Sequence, residues 1–182
     1  MKKAKRLYIM MTIGSAVGVI AAFWQTLDKL ALLKNPAQPL SCNLSSVFSC
    51  SNVLNSHQAS VFGFPNSIMC LALFLILLTV AVVGLTGGVI SKSMRFATQF
   101  LSLFTLGFAF WFLFESTYRI HAICIFCLFC FAGLLLVNAS WLRINSADAK
   151  WMKRLTARGL DWFIWVLAAV VVSAAIAFKF YV

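Results

Sequence analysis

The chain has 182 residues, of which 63% are apolar and 10% carry a charge. A soluble globular domain is about half apolar and a quarter charged, so this composition excludes an ordinary soluble protein. The net charge of +11 is also found in nucleic-acid-binding proteins, but here the basic residues flank apolar segments. We therefore expect no nucleic acid partner.

Five long apolar segments are almost free of charged residues, and each is long enough, or nearly so, to cross a bilayer as a helix. They comprise residues 7–27, 66–90, 96–116, 120–142 and 162–178. Backbone groups in lipid must be hydrogen-bonded internally, so each segment is predicted to be a helix. We predict an all-α integral membrane protein with two parts. Residues 1–142 form a four-helix transmembrane bundle, and residues 143–182 form a basic cytoplasmic linker and a fifth transmembrane helix.

The basic residues are unevenly divided between the two sides of the membrane. Most of them precede the first apolar segment or lie in the linkers after the second and fourth segments. The opposite side holds only Lys29, Lys34, Arg119 and Lys179. Cytoplasmic loops are enriched in Lys and Arg, so we expect a cytoplasmic N-terminus, with the loop at 28–65 and the C-terminus outside. The first apolar run exceeds that of a usual signal peptide, so its retention as a helix is expected.

The outer loop is the only substantial segment outside the membrane, and residues 35–65 contain no Asp, Glu, Lys or Arg. Apolar residues recur in it at helical spacing, namely Leu44, Val47, Phe48, Val53 and Leu54. This pattern predicts a short amphipathic helix lying across the mouth of the bundle. Pro65 follows where a helix start tolerates proline, at the first turn of the second transmembrane helix.

Four of the six cysteines are predicted to lie at the outer face. Cys42 and Cys50 belong to the outer loop, and Cys124 and Cys127 form a C-x-x-C at the outer end of the fourth segment. Thiols on the oxidising side of a membrane form disulfides, and two structural bridges would be the simplest arrangement. A C-x-x-C at a helix start is, however, typical of redox-active dithiols.

The predicted position of the C-x-x-C suits redox chemistry. Cys124 is expected in the first helical turn, where free N–H groups and the helix dipole stabilise a thiolate and so lower its pKa. Cys127 is expected one turn deeper, within the apolar bundle. One thiol would therefore face the aqueous loop, while the other would face a site open to a lipid-soluble partner.

Other polar and sulfur-containing residues have competing interpretations. Cys124, Cys127 and Cys130 resemble part of an iron–sulfur ligand set, but no fourth ligand is evident, and we predict no metal site. Cys70 and Cys130 are expected to pack as small apolar residues. His121 could stabilise a thiolate or simply be solvated, and the spacing of Glu115 and Arg119 predicts an ion pair.

The motifs together resemble the vitamin K epoxide reductase family over about residues 10–142. They are Cys42, Cys50 and Ser56 in the loop, the run Phe62-Gly63-Phe64-Pro65-Asn66-Ser67, and Cys124-Ile125-Phe126-Cys127. The resemblance implies a bacterial cytoplasmic (inner) membrane enzyme with its active site facing the periplasm. It further implies an oxidoreductase that takes electrons from protein dithiols and passes them to a quinone, either ubiquinone or menaquinone, in support of disulfide bond formation.

The resemblance also implies roles for individual residues. Cys127 resembles the thiol that attacks the quinone, and Cys124 its resolving neighbour. Cys50 would form a transient bridge to Cys124, and Cys42 would exchange with a thioredoxin-fold partner outside the cytoplasm. The side chains expected beside the quinone are Ser56, Asn66, Phe62 and Phe64, of which Asn66 could donate its amide to a ring oxygen.

Two differences from the family pattern indicate which reaction and which kind of partner protein to expect. Animal members carry tyrosine at the position of Phe131, which favours quinone reduction over epoxide reduction here. No thioredoxin-like domain follows the fifth segment, so a separate partner protein is expected. Two alternatives stay open: a structural or transport protein with merely structural disulfides, and another quinone-linked oxidase family, which places its C-x-x-C near the second span.

Overall fold

The computed structural model describes residues 2–181, without the side chains of Lys2, Lys3 and Ala157. Met1 and Val182, which belong to the two predicted parts of the chain, lie outside the described residues. The described chain folds into seven α-helices, a 3-10 turn at His57–Ser60 and a π-helical turn at Ser116–Ile120. The helices are α1 Lys2–Lys34, α2 Cys50–Asn55, α3 Asn66–Leu85, α4 Lys92–Glu115, α5 Ile125–Asn145, α6 Lys150–Ala157 and α7 Leu160–Tyr181.

The predicted fold class is confirmed. Five helices of the described chain, α1, α3, α4, α5 and α7, are long and apolar enough to cross a membrane. The short helix expected in the first outer loop is α2. The bundle is built around α1, which packs along both α3 and α5, while α4 packs on the other side of α5.

Glycines allow α1 to approach its neighbours closely. A Cβ atom at Gly14 would lie 2.8 Å from the carbonyl oxygen of Gly133 in α5. A Cβ atom at Gly18 would overlap the buried ring of Phe74 in α3. In lipid, helices associate mainly through such close packing, so these small residues set the distance between α1 and its partners.

Helix α1 continues seven residues beyond its predicted end at Leu27, and its extension carries Asp28 and Lys29. Both charged side chains lie against the outer loop, where Lys29 has a hydrogen-bond partner. Lys29 Nζ donates to the carbonyl oxygen of Leu54 at 2.6 Å, and Asp28 Oδ2 lies 3.3 Å from Cys42 Sγ. The charges therefore extend the helix above the apolar layer instead of ending it.

The outer loop is attached to the start of α5. Ile123 donates its backbone N–H to the carbonyl oxygen of Val47 at 2.8 Å, and Phe48 forms an isolated bridge with Ile123. This pairing requires extended backbone, so the helical periodicity predicted from Leu44 onward is wrong in its first half. Only Val53 and Leu54 of the predicted apolar set are buried residues of α2.

Helix α7 lies at the edge of the bundle, where most of its side chains are exposed. Its first turn is held to α5 by a buried ion pair between Asp161 and Arg143. The Arg143 guanidinium also stands over the Trp162 ring, 5.0 Å from its centroid. These contacts join α7 to α5.

Candidate active site

The loop cysteines, Cys42 and Cys50, form a disulfide. Cys50 is the first residue of α2, and Ser49 caps this helix by accepting a hydrogen bond from the backbone N–H of Asn52. Both sulfur-bearing residues are buried in a small apolar cluster under the loop. Cys50 has no exposed surface, whereas Cys42 retains 5%.

Cys124 is the N-cap of α5, where its backbone is extended, and the helix itself begins at Ile125. The expectation that Cys124 lies within the first helical turn is therefore off by one position. Its sulfur lies 3.5 Å from Cys50 Sγ, although the two residues are 74 positions apart. The structure thus brings the loop disulfide against the C-x-x-C.

The immediate surroundings of Cys124 favour its thiolate form. The neighbouring Cys127 thiol, by hydrogen bonding, lowers the pKa of Cys124, while burial acts in the opposite direction. Backbone N–H groups of Cys127 and Phe126 at the start of α5 lower it further. A thiolate is the attacking species in disulfide exchange, so Cys124 is prepared for exchange with the loop cysteines.

Cys127 has a polar contact that the sequence did not predict. The side-chain amide of Gln25, from α1, donates to Cys127 Sγ at 3.1 Å and lies 3.8 Å from Cys124 Sγ. Sequence reasoning treated residues 7–27 as one apolar span. The signal available was a single amide side chain in that span, because a polar group in lipid requires a partner.

A cavity of about 40 Å³ lies beside Cys127, between α1, α3, α4 and α5. Its walls are mainly apolar, with three thiols and a few polar side chains. The lining residues are Gln25, Leu54, Ala59, Pro65, Asn66, Ser67, Cys70, Thr105, Phe108, Ala109, Phe112, Leu113, Cys127, Cys130 and Leu134. Cys70 and Cys130 pack in the apolar core, as expected, and also line this cavity.

Two buried oxygen atoms in the cavity wall lack hydrogen-bond partners. Asn66 donates its Nδ2 to the carbonyl oxygen of Gln58 at 2.7 Å, which leaves Asn66 Oδ1 free. The Ser67 hydroxyl, which the sequence analysis did not single out, is also unpartnered. Because buried polar atoms are normally paired, this end of the cavity fits a ligand with a group that donates to Asn66 Oδ1 and a group that accepts from the Ser67 hydroxyl.

The other side chains expected beside the quinone lie outside the cavity wall. Ser56 Oγ donates to the carbonyl oxygen of Val53 at 2.7 Å, at the end of α2. Phe62 and Phe64 are 46% and 44% exposed. Phe62 packs on Phe108, with ring centroids 5.7 Å apart, so it reaches the cavity only through that lining residue.

The predicted ion pair between Glu115 and Arg119 is present, with 3.5 Å between the charged atoms. Glu115 also accepts a hydrogen bond from Gln58 Nε2 at 3.3 Å. His121 adopts left-handed backbone, and its ring Nδ1 faces the carbonyl oxygen of Arg119 at 3.1 Å. These residues shape the outer hairpin, and the described contacts of His121 do not include either thiol.

Phe131, where animal family members carry tyrosine, is buried against Phe110, with ring centroids 4.9 Å apart in an edge-to-face arrangement. It does not line the cavity. Among the described residues, the one group with three metal-ligand side chains close together is Asp28, Cys42 and Cys50. Since those cysteines share a disulfide, they offer no thiolates to a metal.

Comparison with protein families gives a match to the Vitamin K epoxide reductase family over residues 9–141. No curated protein matches the chain. The matched region contains most of α1, all of α2 to α4 and most of α5, together with the four cysteines of the site. The chain therefore belongs to the vitamin K epoxide reductase family and is a membrane thiol–disulfide oxidoreductase.

Proposed function

We propose that this protein reoxidises a separate thioredoxin-fold protein outside the cytoplasm and passes the electrons to a membrane quinone. The observation that supports this proposal best is the 3.5 Å separation between Cys50 Sγ and Cys124 Sγ. At this distance a sulfur–sulfur bond can form after a small movement of the loop. The two cysteine pairs can therefore exchange electrons within one chain.

The first step is exchange with the partner at Cys42, which is the more accessible of the two loop cysteines. A thiolate of the partner attacks Cys42, a mixed disulfide forms, and Cys50 leaves as the thiolate. The second thiol of the partner then attacks the partner sulfur that is bonded to Cys42 and so releases Cys42. The partner leaves oxidised by two electrons, and Cys42 and Cys50 become a dithiol.

The second step passes these electrons to the C-x-x-C disulfide. Cys50 attacks Cys124, a Cys50–Cys124 bridge forms, and Cys127 leaves as the thiolate. Cys42 then attacks Cys50, restores the loop disulfide and releases Cys124. A loop disulfide beside free Cys124 and Cys127 is the pairing that follows this exchange.

The third step oxidises Cys127 and Cys124 back to a disulfide. Together they lose two electrons and two protons, which a quinone takes up as it becomes a quinol. We propose that the Ser67 hydroxyl donates to a ring oxygen of the quinone, and that Asn66 Oδ1 accepts from a hydroxyl of the quinol once the ring is reduced. Phe108 and Phe112 line the same cavity as Cys127 and would contact the faces or edges of the ring.

The remaining sequence-based assignments are part of the same proposal. Ser56, Phe62 and Phe64 would border the route from the outer surface to the cavity. The apolar Phe131 favours quinone reduction over epoxide reduction. Residues 1–142 would be the catalytic core and residues 143–182 a linker with a fifth helix, in a bacterial cytoplasmic membrane with the N-terminus inside.

A trapping experiment tests the exchange between the two pairs. In the Cys42→Ala variant, Cys50 cannot return to the loop disulfide, so we expect a stable Cys50–Cys124 bridge. It would be detected by mass spectrometry of non-reduced protein whose free thiols were blocked at once. The double variant Cys42→Ala/Cys124→Ala is the matched control and should show no bridge to Cys50.

Electron transfer to quinone is measured separately, with a reduced thioredoxin-fold protein as the donor. The parent protein should reduce quinone, and Cys127→Ala should lose this activity completely. Retained activity in Cys127→Ala, or a Cys42→Ala variant in which Cys50 stays unbridged, contradicts the proposed order of transfer. A parent protein that reduces no quinone contradicts the assignment of the acceptor.

A further inference from the structure

We infer that Gln25 is a catalytic residue that stabilises the Cys127 thiolate through its side-chain N–H group. This role rests on the proposed function, in which Cys127 is the thiol that donates electrons to the quinone. It adds a residue of α1 to the four redox cysteines, which the outer loop and the start of α5 supply. The C-x-x-C motif in the sequence gives no indication that this residue takes part.

The surroundings of Gln25 leave its amide few alternatives. The residue lies in a membrane-spanning helix and is only 7% exposed. A buried amide without a partner is costly in an apolar environment. The described hydrogen bonds of Gln25 Nε2 are those to Cys127 Sγ at 3.1 Å and to Cys124 Sγ at 3.8 Å. The amide is thus directed at the redox sulfurs.

A neutral thiol is a weak hydrogen-bond acceptor, whereas a thiolate is charged and accepts much more strongly. An N–H donor at 3.1 Å therefore stabilises the anion more than the thiol. Cys127 needs such help, because it lies in the apolar bundle and its own backbone N–H donates to the carbonyl oxygen of Cys124. The nearest cation of α1 toward the loop, Lys29, is already bonded to Leu54.

Gln25 affects the reaction only through the negative charge on Cys127 Sγ. When Cys50 binds Cys124, the electron pair of the broken bond goes to Cys127 Sγ, and Gln25 stabilises the resulting charge. When Cys127 later gives this pair to the quinone, Cys124 supplies the pair for the re-formed Cys124–Cys127 bond, and the charge leaves the Cys127 sulfur. Gln25 therefore donates a hydrogen bond throughout, and it neither gains nor loses a proton.

Substitution of Gln25 by methionine tests the inference, because Gln25→Met keeps the length of the side chain and removes the donor. The reduced protein, without quinone, is treated with N-ethylmaleimide at one pH, and the alkylation rate of each cysteine is followed by peptide mass spectrometry. We expect Cys127 to react about tenfold more slowly, as one hydrogen bond to a charged group is lost. Cys130, which lines the same cavity, should be unaffected.

The control is Thr26→Val, which removes a polar group from the next position of α1. Thr26 bonds only within its helix, to the carbonyl oxygen of Ala22, so Cys127 should react at the parental rate. Gln25→Ala repeats the loss of the donor without adding bulk, in case methionine distorts the packing. Unchanged alkylation of Cys127 in both folded Gln25 variants overturns the inference, as does equal slowing of Cys127 and Cys130.

The alkylation test is independent of the identity of the electron acceptor. Slower alkylation in Gln25→Met together with no quinone reduction by the parent would support the role of Gln25 and contradict the proposed function. Normal alkylation of Cys127 in Gln25→Met, together with quinone reduction by the parent, would contradict the role of Gln25 and support the proposed function. If both hold, the turnover number of Gln25→Met for quinone reduction should fall by a factor similar to the alkylation rate.

Discussion

Cys124 occupies the meeting point of the two cysteine pairs. It caps α5, its sulfur is 3.5 Å from Cys50 Sγ, and it is followed one helical turn later by Cys127. An N-cap residue has extended backbone, so its side chain can project toward a neighbouring loop more freely than a side chain inside the helix. This position puts the Cys124 sulfur within reach of both Cys50 in the loop and Cys127 in the bundle.

The pH dependence of Cys124 should reveal its contact with Cys127. Because the Cys127 thiol lowers the pKa of Cys124, the Cys124 thiolate persists to lower pH than an ordinary cysteine thiolate. Cys127→Ala removes this hydrogen bond, so the pH of half-maximal Cys124 alkylation should rise. Cys127→Ser keeps a hydrogen-bond donor, so it should raise the pH of half-maximal Cys124 alkylation less than Cys127→Ala does. Equal shifts in the two variants would argue against the hydrogen bond as the cause.

At the scale of the elements, α1 is the helix on which the site depends most. It supplies Gln25 to the thiols, Asp28 and Lys29 to the outer loop, and two glycines to the contacts with α3 and α5. Because a helix is rigid, close packing near Gly14 and Gly18 also sets the position of Gln25, two turns further along. Packing in the middle of the bundle and chemistry near one end of α1 are therefore linked.

Gly18→Ala should destabilise the bundle, since the added methyl group would overlap the buried Phe74 ring. Overpacking of this kind typically costs about 1–3 kcal/mol, which thermal unfolding in detergent would detect. Gly107→Ala is the matched control, because a Cβ atom there meets no atom within 4 Å. A Gly18→Ala protein as stable as Gly107→Ala would show that α1 and α3 are less tightly packed than described.

In the whole molecule, the outer loop is held over the bundle from three directions. Lys29 of α1 binds the end of α2, Glu115 of α4 binds Gln58, and Ile123 before α5 pairs with Val47. These contacts keep the loop disulfide close to Cys124. A loop attached at one point only would spend less time within reach of the C-x-x-C.

The orientation proposed for the whole molecule can be measured by labelling from one side of the membrane. Leu44 in the outer loop is 65% exposed and Val89 between α3 and α4 is 99% exposed. We expect Leu44→Cys, and not Val89→Cys, to react with a membrane-impermeant maleimide in intact cells. Permeabilised cells should label both positions, which controls for accessibility. The reverse pattern would invert the topology and place the cysteine pairs on the cytoplasmic side.

The sequence by itself determined the class of protein and the main course of the chain. A helix that crosses lipid needs a long apolar run, and its flanking residues reveal its ends, so five spans and one outer loop were predictable. The ends of α1 and α3 were less predictable. Asp28 and Lys29 lie against the outer loop, while α3 stops early where Gly87 adopts left-handed backbone.

Only the tertiary structure decided which groups meet. Cys50 and Cys124 are 74 positions apart, and Gln25 and Cys127 are 102 apart, so no local pattern could reveal their contacts. The family resemblance implied the first contact but gave no indication of the second. The same holds for Asn66, whose amide was expected to face a ligand but is bonded to Gln58. Periodicity reports which face of a helix is buried, whereas hydrogen-bond partners depend on how separate elements pack, because each polar group can bond to any neighbour that packing brings close.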